Sequence, residues 1–324
     1  MRREQPMYAD TVQSENVLKK PLVFGGIALV CAIVAFLLGS AALISTLLPT
    51  ADVASIPLQL SASALIGVAF AANLLGISLL PNGVQRLVVY GQFLFLLIAF
   101  VLVFDLDMAF IAEKGPTLLI EGLTTTLYIS AISISIAIVI ALSAAIAKLS
   151  SNEFARGIAT FYTSLFRGLP LLMQLYLVYL GLPQLGFFPE AIPAGIAALS
   201  LCYGAYMTEV FRAGILSISR GQWEASRALG FGSGQVMRRI ILPQALPVVI
   251  PPTGNMFIGM LKGSSLVSVI GVTDLMFLAR NLGSSTFNHM EMLLTAAFIY
   301  WALIMTLELI QSRLERHFNK SKTR

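Results

Sequence analysis

Apolar residues fall in runs of about 20 positions separated by short polar links, and the pattern recurs along the whole chain rather than at one end. A run of that length matches a hydrocarbon core roughly 30 Å thick. Eight spans are predicted, over 22–48, 61–80, 87–104, 117–147, 166–182, 191–211, 246–272 and 291–312. The first is 27 residues long and follows Lys19 and Lys20. It exceeds the roughly 7 to 15 apolar residues of a signal peptide, so it is read as a helix and not as a cleaved leader. The fold class is therefore an all-α membrane protein with about eight transmembrane helices.

One segment breaks the pattern. "SRGQWEASRALGFGSGQVMRRIILPQA", residues 219–245, holds four arginines, one glutamate and four glycines. Residues 222–229 read as a short helix with Trp223, Ala228 and Leu229 available for packing and Gln222, Glu224 and Arg227 polar. Gly230 supplies a stop that tolerates left-handed backbone angles. From Ser233, a predicted N-cap, a second helix carries Val236, Met237, Ile240 and Ile241 at i, i+1, i+4 and i+5, and Pro243 is expected to close it. Such a helix, glycine turn, helix hairpin fits a groove on another protein or rests on lipid through its arginines and apolar stripe. Its chemistry leaves both open.

Composition agrees with the span pattern. Hydrophobic residues make up 57% of the chain and charged ones 11%, well below the roughly 25% of soluble domains. The net charge of +5 does not indicate nucleic acid, because no aromatic and basic stripe accompanies it. It reads instead as loops held on the cytoplasmic side against anionic lipid. With the N-terminus inside, 18 of the 21 Lys and Arg lie in inner segments, Lys114 and Arg280 lie outside, and Lys262 sits within a span. That asymmetry is the positive-inside pattern, and it places both termini in the cytoplasm.

Cys31 and Cys202 lie in separate apolar runs and are read as packing residues. Neither they nor His289 and His317 have partners at metal-ligand spacing. No G-x-x-x-x-G-K-[ST] run is present, and "GFGSG" lacks the strand and helix a phosphate cradle needs. The chain is therefore expected not to be an enzyme and to hold no cofactor, so uphill transport would draw on a partner or an ion gradient.

The chain changes character near residue 113, where Gly115-Pro116 is expected to break it. The predicted organisation is a cytoplasmic segment 1–20, a three-helix region 21–113, a membrane domain 114–318 containing the hairpin 221–243, and a basic tail 319–324. Buried charge is costly in lipid, about 2.5 to 3.5 kcal/mol on insertion scales, which singles out Lys262, about 24 Å along its helix from Leu246. Asn255, Ser264 and Ser265 on the same helix and Glu121 near the outer end of the fourth span join it as candidate pathway residues. The alternative for Lys262 is a packing pair with a carboxylate such as Glu209, and for Glu121 simple snorkelling to the interface.

The hairpin's spacing resembles the EAA loop of permease subunits of ATP-binding-cassette importers. The matching positions are Glu224, Ala225, Ser226 in place of the second alanine, Gly230, Ile240, Leu242 and Pro243. Around it, "FRGLPLLMQLYLVYLGLP", "YGAYMTEVFRAGILSISRGQWEASRALG" and "GMLKGSSLVSVIGVTDL" resemble the polar amino acid uptake permeases, over roughly residues 117–318. The resemblance implies a five-helix permease core, here preceded by three extra N-terminal helices. It also implies a dimer of cytoplasmic ATPase subunits that bind ATP and Mg, a second permease subunit, the same or paralogous, an extracytoplasmic amino-acid-binding protein, and the bacterial inner membrane. The seven hairpin positions would then contact the ATPase. An ion-coupled secondary transporter is the competing class, but the inverted repeat with midplane carboxylates that marks it is not found in the chain.

Overall fold

Lipid offers backbone polar groups no outside partner, so apolar runs must close their own hydrogen bonds as helices. The computed structural model describes residues 21–37, 56–103 and 106–319, and among these all regular structure is helical. The predicted cytoplasmic segment 1–20, residues 38–48 of the first predicted span, residue 104 of the third and residues 320–324 of the basic tail lie outside the described residues. The chain divides into two units, Met1–Asp105 and Leu106–Arg324.

The first unit holds α1 (Pro21–Leu37), α2 (Ile56–Ser78) and α3 (Asn82–Val103). Helix α2 buries Ser63, Gly67 and Ala71, one small residue per turn. A Cβ on Gly67 would sit 2.3 Å from the Ala28 carbonyl oxygen, so α1 and α2 touch backbone to backbone. Small residues drive such contacts in lipid, where van der Waals packing replaces the hydrophobic effect between helices.

The second unit begins with α4 (Met108–Leu149), 42 residues and roughly 63 Å at 1.5 Å per residue, about twice a bilayer core. Asp107 caps it by accepting from the Phe110 N–H at 3.0 Å. The break expected at Gly115-Pro116 is absent. The helix runs through Pro116 and takes a π-helical turn just beyond it, at Leu118–Gly122, so the 113/114 boundary falls inside α4.

Next come α5 (Glu153–Gly168) and α6 (Leu171–Leu185), which meet at an angle of 109°. The fifth predicted span covered only the apolar half of this pair. Helix α5 escaped hydropathy because it is amphipathic, burying Ala159 and Thr163 while Phe154, Ile158, Phe161 and Leu165 lie exposed. The unit continues with α7 (Ala191–Leu216), α8 (Arg220–Ala228), α9 (Ser233–Ile270), α10 (Leu275–Thr286) and α11 (His289–Asn319). Among the described residues five helices are long and apolar enough to cross a membrane, or seven if each bent pair, α5 with α6 and α9 with α10, counts as one span.

Packing centres on α4 against α7. On α4, Ser133, Ala137, Ala141 and Ala145 are buried at every fourth position, facing Ala194, Ala198, Ala205 and other small residues of α7. Across this seam the Ser200 hydroxyl lies 3.2 Å from the Ser133 carbonyl oxygen. A second cluster joins Leu118 of α4 to Leu275 and Ala279 of α10 and Met292 and Ala296 of α11. There the Leu275 N–H donates to the Thr126 hydroxyl at 3.2 Å.

Gly214 marks where α7 crosses α9, since a Cβ there would lie 2.2 Å from Val249 Cγ1. Gly214→Val should destabilise the protein by about 1 to 3 kcal/mol through overpacking. Gly157→Ala, with open space around it, should be neutral or gain about 0.5 to 1 kcal/mol. Thermal unfolding of the two variants in detergent compares them, and equal midpoints would contradict the close crossing.

Candidate functional site

The hairpin is held from below and presented outward. Val236 and Ile241 are buried with Ile215 of α7 and Ala245 of α9, and Leu149, Ile218, Trp223 and Ile240 pack around them. The predicted stripe is thus the side that grips the bundle. Glu224, Ala225, Arg227, Ala228 and Leu229 are exposed, Leu229 by 76%. Ser226 faces inward instead, and its hydroxyl donates to the Gln222 carbonyl.

Gly230 adopts φ +80°. Its N–H donates to the Arg227 carbonyl at 2.9 Å, and the Phe231 N–H reaches the Ser226 carbonyl at 3.2 Å. These two bonds form a Schellman closure, which satisfies the last carbonyls of α8 and sets its angle to α9. Two local expectations are corrected. The N-cap of α9 is Gly232, whose N–H donates to the Gln235 side chain at 3.1 Å, and Ser233 is already helical. Pro243 does not close the helix: a π-helical turn at Met237–Ile241, closed by the Leu242 N–H on the Met237 carbonyl, leads straight into the next segment. Pro243 sits in its first turn, where a missing N–H costs least. Ile240 is half-buried, Leu242 half-buried and Pro243 exposed, so the seven motif positions do not share one face.

Four of the candidate pathway residues lie on α9, where Asn255 and Lys262 are seven residues apart and both exposed, and Glu121 lies on α4. Lys262 is exposed and has no carboxylate within ion-pair distance among the described residues. Ser264 is buried and its hydroxyl turns back to the Leu261 carbonyl, while that of Ser265 turns to Lys262. Asn255 is exposed and accepts from the Gln311 amide at 2.9 Å, and the same amide lies 3.2 Å from the Pro251 carbonyl and 2.9 Å from Glu315. Glu121 is exposed in the π-helical turn of α4. None of these five side chains lines the cavity at Ser268, Arg280 and His289 or the one at Ile138, Phe211 and Val249.

Glu209, the carboxylate named as the alternative partner for Lys262, has other bonds. Glu209 on α7 accepts from Lys148 at 2.5 Å and from Arg212 at 2.9 Å, with Arg167 at 3.8 Å. Lys148 also donates to the Thr163 hydroxyl at 3.0 Å, and the Arg167 guanidinium lies 5.6 Å from the centre of the Tyr206 ring. One carboxylate thus ties together the ends of α4, α5 and α7. Hydropathy alone does not pair these charges, since Lys148 and Glu209 are 61 residues apart.

A second missed residue is Gln174, 2% exposed. Its amide donates to the Phe166 carbonyl at 2.8 Å and the Leu169 carbonyl at 2.9 Å, closing backbone groups that the 109° bend between α5 and α6 would leave without donors. A polar residue in an apolar run four residues after Gly-Leu-Pro was the signal in the sequence.

Comparison with known proteins covers most of the second unit. Residues 137–320 match the family model described as binding-protein-dependent transport system inner membrane component. The arginine transport system permease protein ArtQ of Bacillus subtilis (strain 168) is 42% identical over 213 residues, 65% of this chain and 97% of that protein. The L-cystine transport system permease protein TcyB of the same organism is 36% identical over 61% of this chain and 86% of its own length. Among solved structures, that of an amino acid ABC transporter with histidines aligns with a TM-score of 0.61 and 38% identity, over 65% of this chain and 99% of that one. A chain of the MetNI methionine ABC transporter, 21% identical with a TM-score of 0.56, shares the fold.

Gln174→Leu should cost about 1 to 3 kcal/mol, because two part-buried carbonyls lose their donor. Thermal unfolding in detergent measures the loss. A midpoint equal to the parent's would show that the bend does not depend on this amide.

Proposed function

We propose that this chain, which belongs to the family of binding-protein-dependent transport system inner membrane components, is the permease subunit of an ATP-driven importer for polar amino acids or close analogues. The observation that carries the reading is the hairpin: a glycine-closed knob with an apolar root in the bundle and an exposed charged tip. Relatives that span nearly their whole length against this chain are amino acid permeases, which supports the substrate class.

On this reading the hairpin 221–243 docks into a groove of a partner ATPase. Glu224 makes the outermost polar contact, Ala225 allows close approach, and Ser226 braces α8 from within. Gly230 sets the angle between the helices, and Ile240, Leu242 and Pro243 pass the motion into α9. ATP and Mg belong to the ATPase dimer. A second permease, the same or paralogous, completes the pathway, and an extracytoplasmic binding protein delivers substrate. Alternating access then follows from two arrangements of the bundle, biased by the ATPase on one side and the loaded binding protein on the other. Lys262, Asn255, Ser264, Ser265 and Glu121 are the proposed pathway residues.

The topology proposed is eight spans in the bacterial inner membrane with both termini cytoplasmic, three helices preceding a five-helix core. Charge grouping supports it. Lys148, Arg167 and Arg212, all assigned inside, meet at Glu209, while Asp107 and Glu291, both assigned outside, lie together with the Asp107 N–H 3.4 Å from the Glu291 carboxylate.

The decisive experiment reconstitutes the chain with its ATPase and binding protein in vesicles and measures amino acid accumulation. Uptake should require ATP, and accumulation driven by an ion gradient without ATP would overturn the assignment. Glu224→Lys should stay in the membrane but lower uptake at least about tenfold, equivalent to roughly 1.4 kcal/mol of lost coupling, while ATP hydrolysis continues. Uptake equal to the parent's would remove Glu224 from the docking contact. Single cysteines at positions 114 and 280 should be labelled from outside, and one at 227 only after permeabilisation. The reverse pattern would overturn the topology.

A further inference from the structure

A polar cavity of about 310 Å3 lies between the end of α9, one face of α10 and the start of α11, lined by Ser268, Phe277, Arg280, Asn281, Ser284 and His289. Four of these residues fall at i, i+3, i+4 and i+7 on α10, so a single helix face forms one wall. Its size sits at the lower end of small-molecule sites, roughly 300 to 1,000 Å3. None of the motif or pathway residues named above lines it.

The groups in the wall are uncommitted in a particular way. Arg280 is exposed and has no carboxylate within ion-pair distance among the described residues. The nearby acid of the same helix, Asp274, is fully buried and bound to the Phe277 N–H at 2.9 Å as the cap of α10. The Ser284 hydroxyl donates to the Asn281 carbonyl at 3.1 Å, which leaves its oxygen as an acceptor facing the cavity. The structure therefore sets a free guanidinium, suited to bidentate carboxylate binding, beside hydroxyl and amide oxygens that suit an ammonium group. Phe277 supplies an apolar wall. These features are complementary to a zwitterion.

We propose that this cavity is an outward-side entry site for a free α-amino acid, with Arg280 holding the α-carboxylate and Ser284 and Asn281 accepting from the α-ammonium. The proposal rests on the importer reading and deepens it. Ser268 places the site at the far end of the same α9 helix that carries Ser264, Ser265 and Lys262, so an amino acid held here stands at the head of the proposed pathway. Recognition at this point uses only the groups common to all α-amino acids, and side-chain selection is left to the binding protein.

The test is equilibrium binding of tritiated L-glutamine and L-arginine to the detergent-purified permease and ATPase complex without binding protein, with arginine methyl ester as competitor. The parent should bind at least one amino acid and prefer arginine over its ester by about tenfold or more, the effect of losing one charge-assisted pair. Arg280→Gln should lower affinity at least about tenfold and abolish the preference, and Arg280→Lys should restore part of it. Asn281→Ala, which keeps the guanidinium, should weaken binding while retaining discrimination against the ester. If the parent binds neither amino acid, or Arg280→Gln binds both as the parent does, the proposal falls. It also falls if Arg280→Gln keeps binding and loses only stimulation of ATP hydrolysis by the binding protein, because the residue then serves a protein contact. ATP-driven uptake by the parent is scored separately, so failure of this cavity leaves the importer assignment standing.

Discussion

The contact between α4 and α7 is the constraint on which the second unit depends. Two helices can approach this closely only where their side chains are small, and Ala137, Ala141 and Ala145 meet that condition on one side, Ala194, Ala198 and Ala205 on the other. The close seam brings Lys148 at the end of α4 within 2.5 Å of Glu209 on α7, and α5 is drawn in through Thr163. It also sets Ile215 and Leu149 side by side as the floor on which the hairpin's apolar stripe rests.

Lipid imposes the second requirement, that every bend find partners for the backbone groups it frees. Each sharp turn has its own solution here. Gln174 supplies donors at the bend between α5 and α6. Asp274 and Thr126 accept backbone N–H groups where α10 begins, and the Schellman closure at Gly230 finishes α8. Two π-helical turns, in α4 and α9, lie close to Pro116 and Pro243, and both helices run on past those prolines.

On the proposed reading, α9 is the mechanical link. It runs without interruption from Ser233, in the hairpin, to Ile270, beside the polar cavity. Gln311 braces it midway by joining the Pro251 carbonyl and Asn255 to α11. Gly214 packs against Val249, so a displacement at the hairpin root is transmitted to α7 as well.

The amino-acid sequence alone determined the class of the protein and the existence of the hairpin. Lipid solvent makes long apolar runs unambiguous, and the glycine stop, apolar stripe and motif spacing of residues 224–243 are local properties of neighbouring positions. Only the tertiary structure decided which charges pair, since Glu209 had Lys262 as one conceivable partner and takes Lys148, Arg212 and Arg167 instead. It also decided that Gly115-Pro116 does not interrupt α4, that α5 is a separate amphipathic helix, and that Ser226 faces inward while Glu224 faces out. The polar cavity was equally hidden, because its wall is assembled from Ser268, the α10 face and His289. Hydropathy reports how each segment partitions into lipid; which helix ends and faces meet depends on close packing between segments far apart in the chain.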